Sequence, residues 1–322
     1  MKFAVIASLL AVLAAPGAGS APPVVSPRVD LPITEVDYGG DRRYTVTVDI
    51  AGHPVQTGVD TGSTGLRVLP RAMPPEGKKG ERVHYGYSSG IGLDGHVISV
   101  PLALGAVAGE AKVMGVERVS CDHPEAQCGK FHLDIASYGI QGDGVPGQGF
   151  PAILGIGFRP DTVANPLVEL GVHRWIVELP RPGDGGHGRL ILNPTDEETA
   201  GYQRLKLSGD GNQIDGCLVA TSANGKACAP MVFDSGAPGI RLMGLSGVPW
   251  PRGTGVDVQL TDGKRKAEMP LVVGRRDLAS AMMIQPGAQG RPPMISLGLA
   301  PYFHWSVLYD ADAHQIGLRE RN

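Results

Sequence analysis

Residues 59–69 read VDTGSTGLRVL and residues 233–243 read FDSGAPGIRLM. Laid over each other, they match Asp60 with Asp234, Gly62 with Gly236, Gly65 with Gly239 and Arg67 with Arg241. Thr61 falls on Ser235, Leu66 on Ile240 and Val68 on Leu242. A second echo follows each stretch: Ile153-Leu154-Gly155 after the first and Ser296-Leu297-Gly298 after the second. Two segments repeated in the same order predict two β lobes of related topology, facing each other about a pseudo-twofold axis.

The repeat also places chemistry. Asp60 and Asp234 each follow an apolar residue and precede a hydroxyl residue and a glycine. A carboxylate at the end of a strand core is costly unless it is hydrogen-bonded or functional. Gly62 and Gly236 let backbone approach that carboxylate and donate N–H groups to it. Thr61 and Ser235 carry hydroxyls able to bond across to the opposite loop. Two carboxylates brought together at the axis cannot both ionise easily and share a proton. Such a pair supplies a base and an acid in one site without a metal, and it titrates as a unit.

The composition agrees with a β-rich chain. Of 322 residues, 47 are glycine and 27 proline, without the fixed period of collagen, and a long-helix protein is not expected. Hydrophobic residues reach 42%, enough for a large core of Val, Leu, Ile and Ala. The formal net charge of −3 offers no basic excess for a phosphate backbone, so a nucleic-acid partner is not expected. Met1–Ala21 has the layout of a secretory signal peptide: Lys2, an apolar stretch Phe3–Ala15, and small residues leading to a cut near Ala18–Ala21. The apolar stretch is short for a membrane span. The expected product is secreted or periplasmic, without a membrane contact after cleavage, and monomeric.

Four cysteines fit that compartment. They allow three connectivities, of which the two local ones, Cys121–Cys128 and Cys217–Cys228, are expected. A zinc site from Cys121, Cys128 and His123 is the lesser alternative, and no metal or cofactor is expected. Strands are predicted over 43–50, 55–60, 153–156, 174–179, 188–192, 202–207, 213–220, 256–260, 268–273, 306–309 and 315–318, with a turn at Gly52-His53-Pro54. Residues 22–32 read as a surface arm or edge-strand entry, and 90–104 as a hairpin turning at Gly95. The best helical candidates are 162–171 and 277–284. The loop 180–188 marks a boundary, giving a signal peptide 1–20, a first lobe 21–184 and a second lobe 185–322. Gly86–Gly90 matches the string of a serine nucleophile elbow and Gly142–Gly147 that of a dinucleotide loop, but neither has the strand-to-helix context these need. Tyr302, Phe303, Trp305 and Trp175 read as core aromatics.

The Asp-Thr-Gly-Ser-Thr segment 60–64 with Asp-Ser-Gly-Ala 234–237 resembles the pepsin-like aspartic peptidases, over roughly residues 40–320. Ala152–Gly157 looks like the family's apolar-Gly segment behind the first active loop, Ile295–Gly298 like its second copy, and 307–318 like its closing hairpin. The resemblance implies an all-β, bilobal acid-protease fold with Asp60 and Asp234 as the catalytic dyad. It implies Thr61 and Ser235 as a cross-lobe brace, Ser63 as support for the first carboxylate, and Tyr85-Gly86 as the tip region of a flap closing over a polypeptide substrate. Three residues depart from the family's pattern. Arg67 stands where the first lobe of typical members has the Trp that supports the flap tyrosine, so Tyr85 lacks that support or uses another partner. Arg241 stands where the second lobe has an uncharged residue, and Ala237 lacks the outer hydroxyl beside Asp234. The second lobe is also short: Asp234 to Gly298 is 64 residues, against 95 from Asp60 to Gly155. The expected function is a secreted aspartic endopeptidase. The alternative is a weak or inactive relative that binds peptides or a protein partner.

Overall fold

A computed structural model describes residues 26–74, 78–122, 128, 132–142, 144–182, 188–209, 211–222, 225–246, 250–287 and 292–321. The predicted signal peptide, residues 1–20, and His123 of the zinc alternative lie outside the described residues. In the first part of the chain come β1 (Val29–Tyr38), β2 (Asp41–Ile50), β3 (His53–Asp60), β4 (Thr64–Val68), β5 (Arg82–Gly86), β6 (Ile91–Leu104), β7 (Val107–Cys121), β8 (Ala152–Ile156) and β9 (Arg174–Glu178). Then follow β10 (Gly188–Leu192), β11 (Gln203–Lys206), β12 (Gln213–Ala220), β13 (Lys226–Val232), β14 (Ile240–Met243), β15 (Gly255–Thr261), β16 (Lys266–Val272), β17 (Met282–Gln285), β18 (Met294–Ser296), β19 (Trp305–Asp310) and β20 (Gln315–Glu320). The fold is all-β in class, with two sheets and three one-turn α-helices among the described residues: α1 (Pro166–Glu169), α2 (Asp196–Thr199) and α3 (Ala300–His304).

The larger sheet runs β11-β20-β19-β9-β10-β1-β2-β3-β8-β4-β7-β6-β5, and the smaller runs β16-β15-β12-β13-β18-β14-β17. One arrangement occurs in both. In the larger sheet β8 lies parallel to β3 and antiparallel to β4, which lies parallel to β7. In the smaller sheet β18 lies parallel to β13 and antiparallel to β14, which lies parallel to β17. β8 is apolar because it is covered on both faces, all five of its residues being buried, and in β18 Ile295 and Ser296 are buried. The chain therefore leaves β3 and β13, makes a short loop, and re-enters as β4 and β14. Asp60, the last residue of β3, opens the first of these loops, and Asp234 lies in the second.

The larger sheet joins the two ends of the chain. β1 pairs with β10 through Val29–Ile33 and with β2 through Thr34–Tyr38. β9 pairs with β10 on one side and with β19 on the other. Trp175 and Tyr309, cross-strand neighbours here, stack with ring centroids 5.7 Å apart, and Trp175 is fully buried, as its core reading expected.

Four local expectations change. Residues 90–104 do not form a hairpin: β6 runs through Gly95 with a bulge at Asp94/Gly95, and the chain reverses after Leu104. Gly95 is needed because the carbonyl of Gly115 in β7 occupies the space of a side chain. His53 and Pro54 belong to β3 rather than to the turn, which is made by Ala51 and Gly52. Helix forms in 162–171 only over α1, whose first turn Asn165 caps through Leu167 N–H. Residues 277–284 end a short 3-10 turn and enter β17, where Met282 and Met283 pair alongside Ile240 and Arg241; sheet pairing overrides a weak helical pattern. Among the described residues, no helix is long and apolar enough to cross a membrane.

Candidate active site

The two loops lock together through hydroxyls on both sides. Thr61 N–H donates to Ser235 Oγ at 3.1 Å, and Ser235 N–H donates to Thr61 Oγ1 at 3.0 Å. Each hydroxyl then donates onward into the opposite strand: Thr61 to the Phe233 carbonyl at 2.9 Å and Ser235 to the Val59 carbonyl at 2.8 Å. Thr61 and Ser235 are almost completely buried, so an unmade bond here would carry its full desolvation cost. Thr61 has one hydroxyl proton and spends it on Phe233. The Tyr302 hydroxyl, 2.6 Å away, must therefore donate to Thr61, and the Tyr309 hydroxyl, 2.5 Å further on, donates to Tyr302. Tyr302 is a core aromatic, as expected, with the added task of bracing this junction.

The carboxylates sit in matched cradles. Asp60 Oδ1 accepts from Gly62 N–H at 2.9 Å and Oδ2 from the Ser63 hydroxyl at 2.7 Å. Asp234 Oδ1 accepts from Gly236 N–H at 3.1 Å and Oδ2 from the Ser296 hydroxyl at 2.9 Å. The glycines are required by the crossing. A methyl group on Gly62 would stand 2.5 Å from Cγ of Asp234, and one on Gly236 would stand 2.8 Å from Oδ1 of Asp60. Each loop thus rests its glycine against the other loop's carboxylate. Burial, then the charge of Asp234, raise the Asp60 carboxyl to about 6, against the opposing pull of Ser63, Gly62 and Arg67.

Ser296 is a residue of the candidate site to which the sequence reading gave no role. It supplies the hydroxyl that Ala237 lacks, but from β18 rather than from the loop. The signal was a serine aligned with Ile153, at a position whose strand pairing makes it buried.

The residues expected to form a flap lie against the two arginines. Tyr85 lies on β5, is buried, and has Tyr87 edge-on at 4.9 Å. The Arg67 guanidinium lies 3.3 Å from the centre of the Tyr85 ring, a cation–π contact. Arg67 is fully buried and pairs with Asp161 at 2.9 Å. The departure at 67 is thus a change of partner: an arginine supports the tyrosine. Arg241, on β14, donates to the Ser88 hydroxyl at 3.1 Å, tying the turn between β5 and β6 to the smaller sheet. Gly86 closes the β5 pairing opposite Gly92.

Both expected disulfides are present. Cys121–Cys128 closes the loop after β7, and Cys217–Cys228 bridges the paired strands β12 and β13. Sulfurs bonded to each other are not thiolate ligands, which removes the zinc alternative. Among the described residues, no group of three His, Cys, Asp or Glu side chains is placed to hold a metal ion.

No protein-family model matches the chain, and no curated protein is significantly similar to it.

Proposed function

We propose that the chain is a pepsin-like, bilobal aspartic endopeptidase in which Asp60 and Asp234 activate a water between them. The observation that carries this reading is the matched pair of cradles: two carboxylates, each held by one glycine N–H and one serine hydroxyl, on two loops braced to each other. The strand threading repeated in the two sheets supports a two-lobed origin for the pair.

In this mechanism the pair holds one proton. The ionised carboxylate takes a proton from the water as it attacks the peptide carbonyl carbon. The protonated carboxyl gives its proton to the carbonyl oxygen, so the tetrahedral intermediate forms without a free oxyanion. Return of a proton to the amide nitrogen expels the amine. The serine hydroxyls and glycine N–H groups favour ionisation, while burial and mutual repulsion oppose it, which is how one proton is retained at mildly acidic pH. Tyr85, carried on the β5–β6 hairpin, closes over an extended polypeptide lying in the cleft. The leader layout of Met1–Ala21 supports action outside the cytoplasm. Of the three departures that motivate the binder alternative, Arg67 stacks on Tyr85, Arg241 bonds Ser88, and the hydroxyl that Ala237 lacks is supplied by Ser296.

The test is cleavage of an unfolded protein between pH 3 and 7, with Asp60→Asn and Asp234→Asn as controls. Cleavage lost by at least a thousandfold in both variants, together with binding of a statine-type inhibitor to the wild type, is the expected result. Activity that persists in both variants overturns the reading.

A further inference from the structure

The glycine-rich segment around Gly142–Gly147, which has no dinucleotide context, holds a side chain beside the aspartate pair. Gln141 has a φ of 66°, in the left-handed region that a residue with a Cβ rarely adopts. Its surroundings enforce this. Ile140 and Phe150 exchange two backbone hydrogen bonds of 2.9 Å, and Gly139 packs its Cα face onto the backbone of Gln148 and Gly149, leaving no space for a side chain there. Buried Arg43, from β2, donates through Nε to the Gln141 carbonyl at 3.2 Å. Strain of this kind persists where the surrounding structure over-determines the conformation.

The strained backbone aims the carboxamide at the site. A methyl group on Gly236 would stand 2.7 Å from Gln141 Nε2 and 2.8 Å from Asp60 Oδ1. The absent side chain of Gly236 is therefore the gap across which the amide and the carboxylate face each other. Gln141 is only half-buried, and among the described residues its carboxamide has no hydrogen-bond partner. A carboxamide offers a donor and an acceptor side by side. That set matches one peptide unit of an extended chain, whose N–H and C=O alternate along its edge.

We propose that Gln141 is a substrate-binding residue that hydrogen-bonds a main-chain peptide unit of the polypeptide next to the aspartate pair. This rests on the peptidase reading. Gln141→Gly separates the side chain from the backbone, because glycine accepts the positive φ without strain. It is expected to keep or raise Tm and to lower kcat/KM on a short peptide about tenfold, the scale of one lost hydrogen bond. Gln141→Glu is expected to move the acid limb of the kcat/KM profile to higher pH, since a third carboxylate opposes ionisation of the pair. A merely structural role would lower kcat/KM of Gln141→Gly only together with its Tm, whereas the Gln141→Glu limb reports how close position 141 lies to the pair. Wild-type kcat/KM in Gln141→Gly, or a loss that tracks a fallen Tm, overturns the assignment. A folded wild type that cleaves no peptide overturns the peptidase reading itself, and this assignment with it.

Discussion

Asp234 takes one of its hydrogen bonds from Ser296, where Asp60 takes the equivalent bond from a serine of its own loop. Ser296→Ala deprives a carboxylate of a donor that favours its ionised form. The kcat/KM of this variant is expected to fall about tenfold, the scale of one lost hydrogen bond. Adding Ala237→Ser, the positional match of Ser63, is expected to restore part of the loss, and steady-state kinetics on a short peptide measures both steps. Asp60 has a pH signature in stability as well. Its carboxyl is raised to about 6 in the fold, so the folded state holds a proton that the unfolded chain releases near 4. The contribution is present at low pH and is lost as pH rises through about 6. Between pH 4 and 7 the wild type is expected to lose roughly 2–3 kcal/mol relative to Asp60→Asn, measured by urea unfolding.

At the scale of elements, the β5–β6 hairpin is held by one arginine from each copy of the repeat. Arg67, on β4, is buried between Asp161 and the Tyr85 ring. Removing it leaves Asp161 without its cation, so Arg67→Ala is expected to cost about 3 kcal/mol, and Arg67→Ala with Asp161→Ala less than that. Urea unfolding of the two variants checks the difference. Arg241 is more exposed, and its bond to Ser88 contributes little to stability. Arg241→Ala is expected to leave Tm within a degree or two while hydrogen exchange at residues 86–91 becomes faster. The sequence revealed that both positions were arginine but not that both touch the hairpin, because those contacts join segments far apart in the chain. The same limit hid Gln141. Its glycine-rich surroundings resemble a common motif, and its approach to Gly236 depends on packing between two remote loops.

Across the whole molecule, the reading from residues was strongest where the pattern was repeated. Asp60, Asp234 and their glycines were legible because both loops are built from the same short string, and most strands were legible from alternation or short apolar runs. β1 was only partly legible: the Pro-rich 22–32 stretch obscured a ten-residue strand whose halves pair with β10 and β2. The bulge at Gly95 was misread because a glycine inside a strand and a glycine in a turn look alike without the neighbouring strand. The proposed mechanism depends on Asp60 and Asp234 behaving as one proton-sharing pair. Titration of the Asp60 carboxyl carbon by NMR, in the wild type and in Asp234→Asn, measures this directly. The expected wild-type midpoint is about 6, falling clearly in the variant while burial keeps it above the ordinary carboxylate value. An Asp60 midpoint that is the same in both proteins would contradict a shared proton.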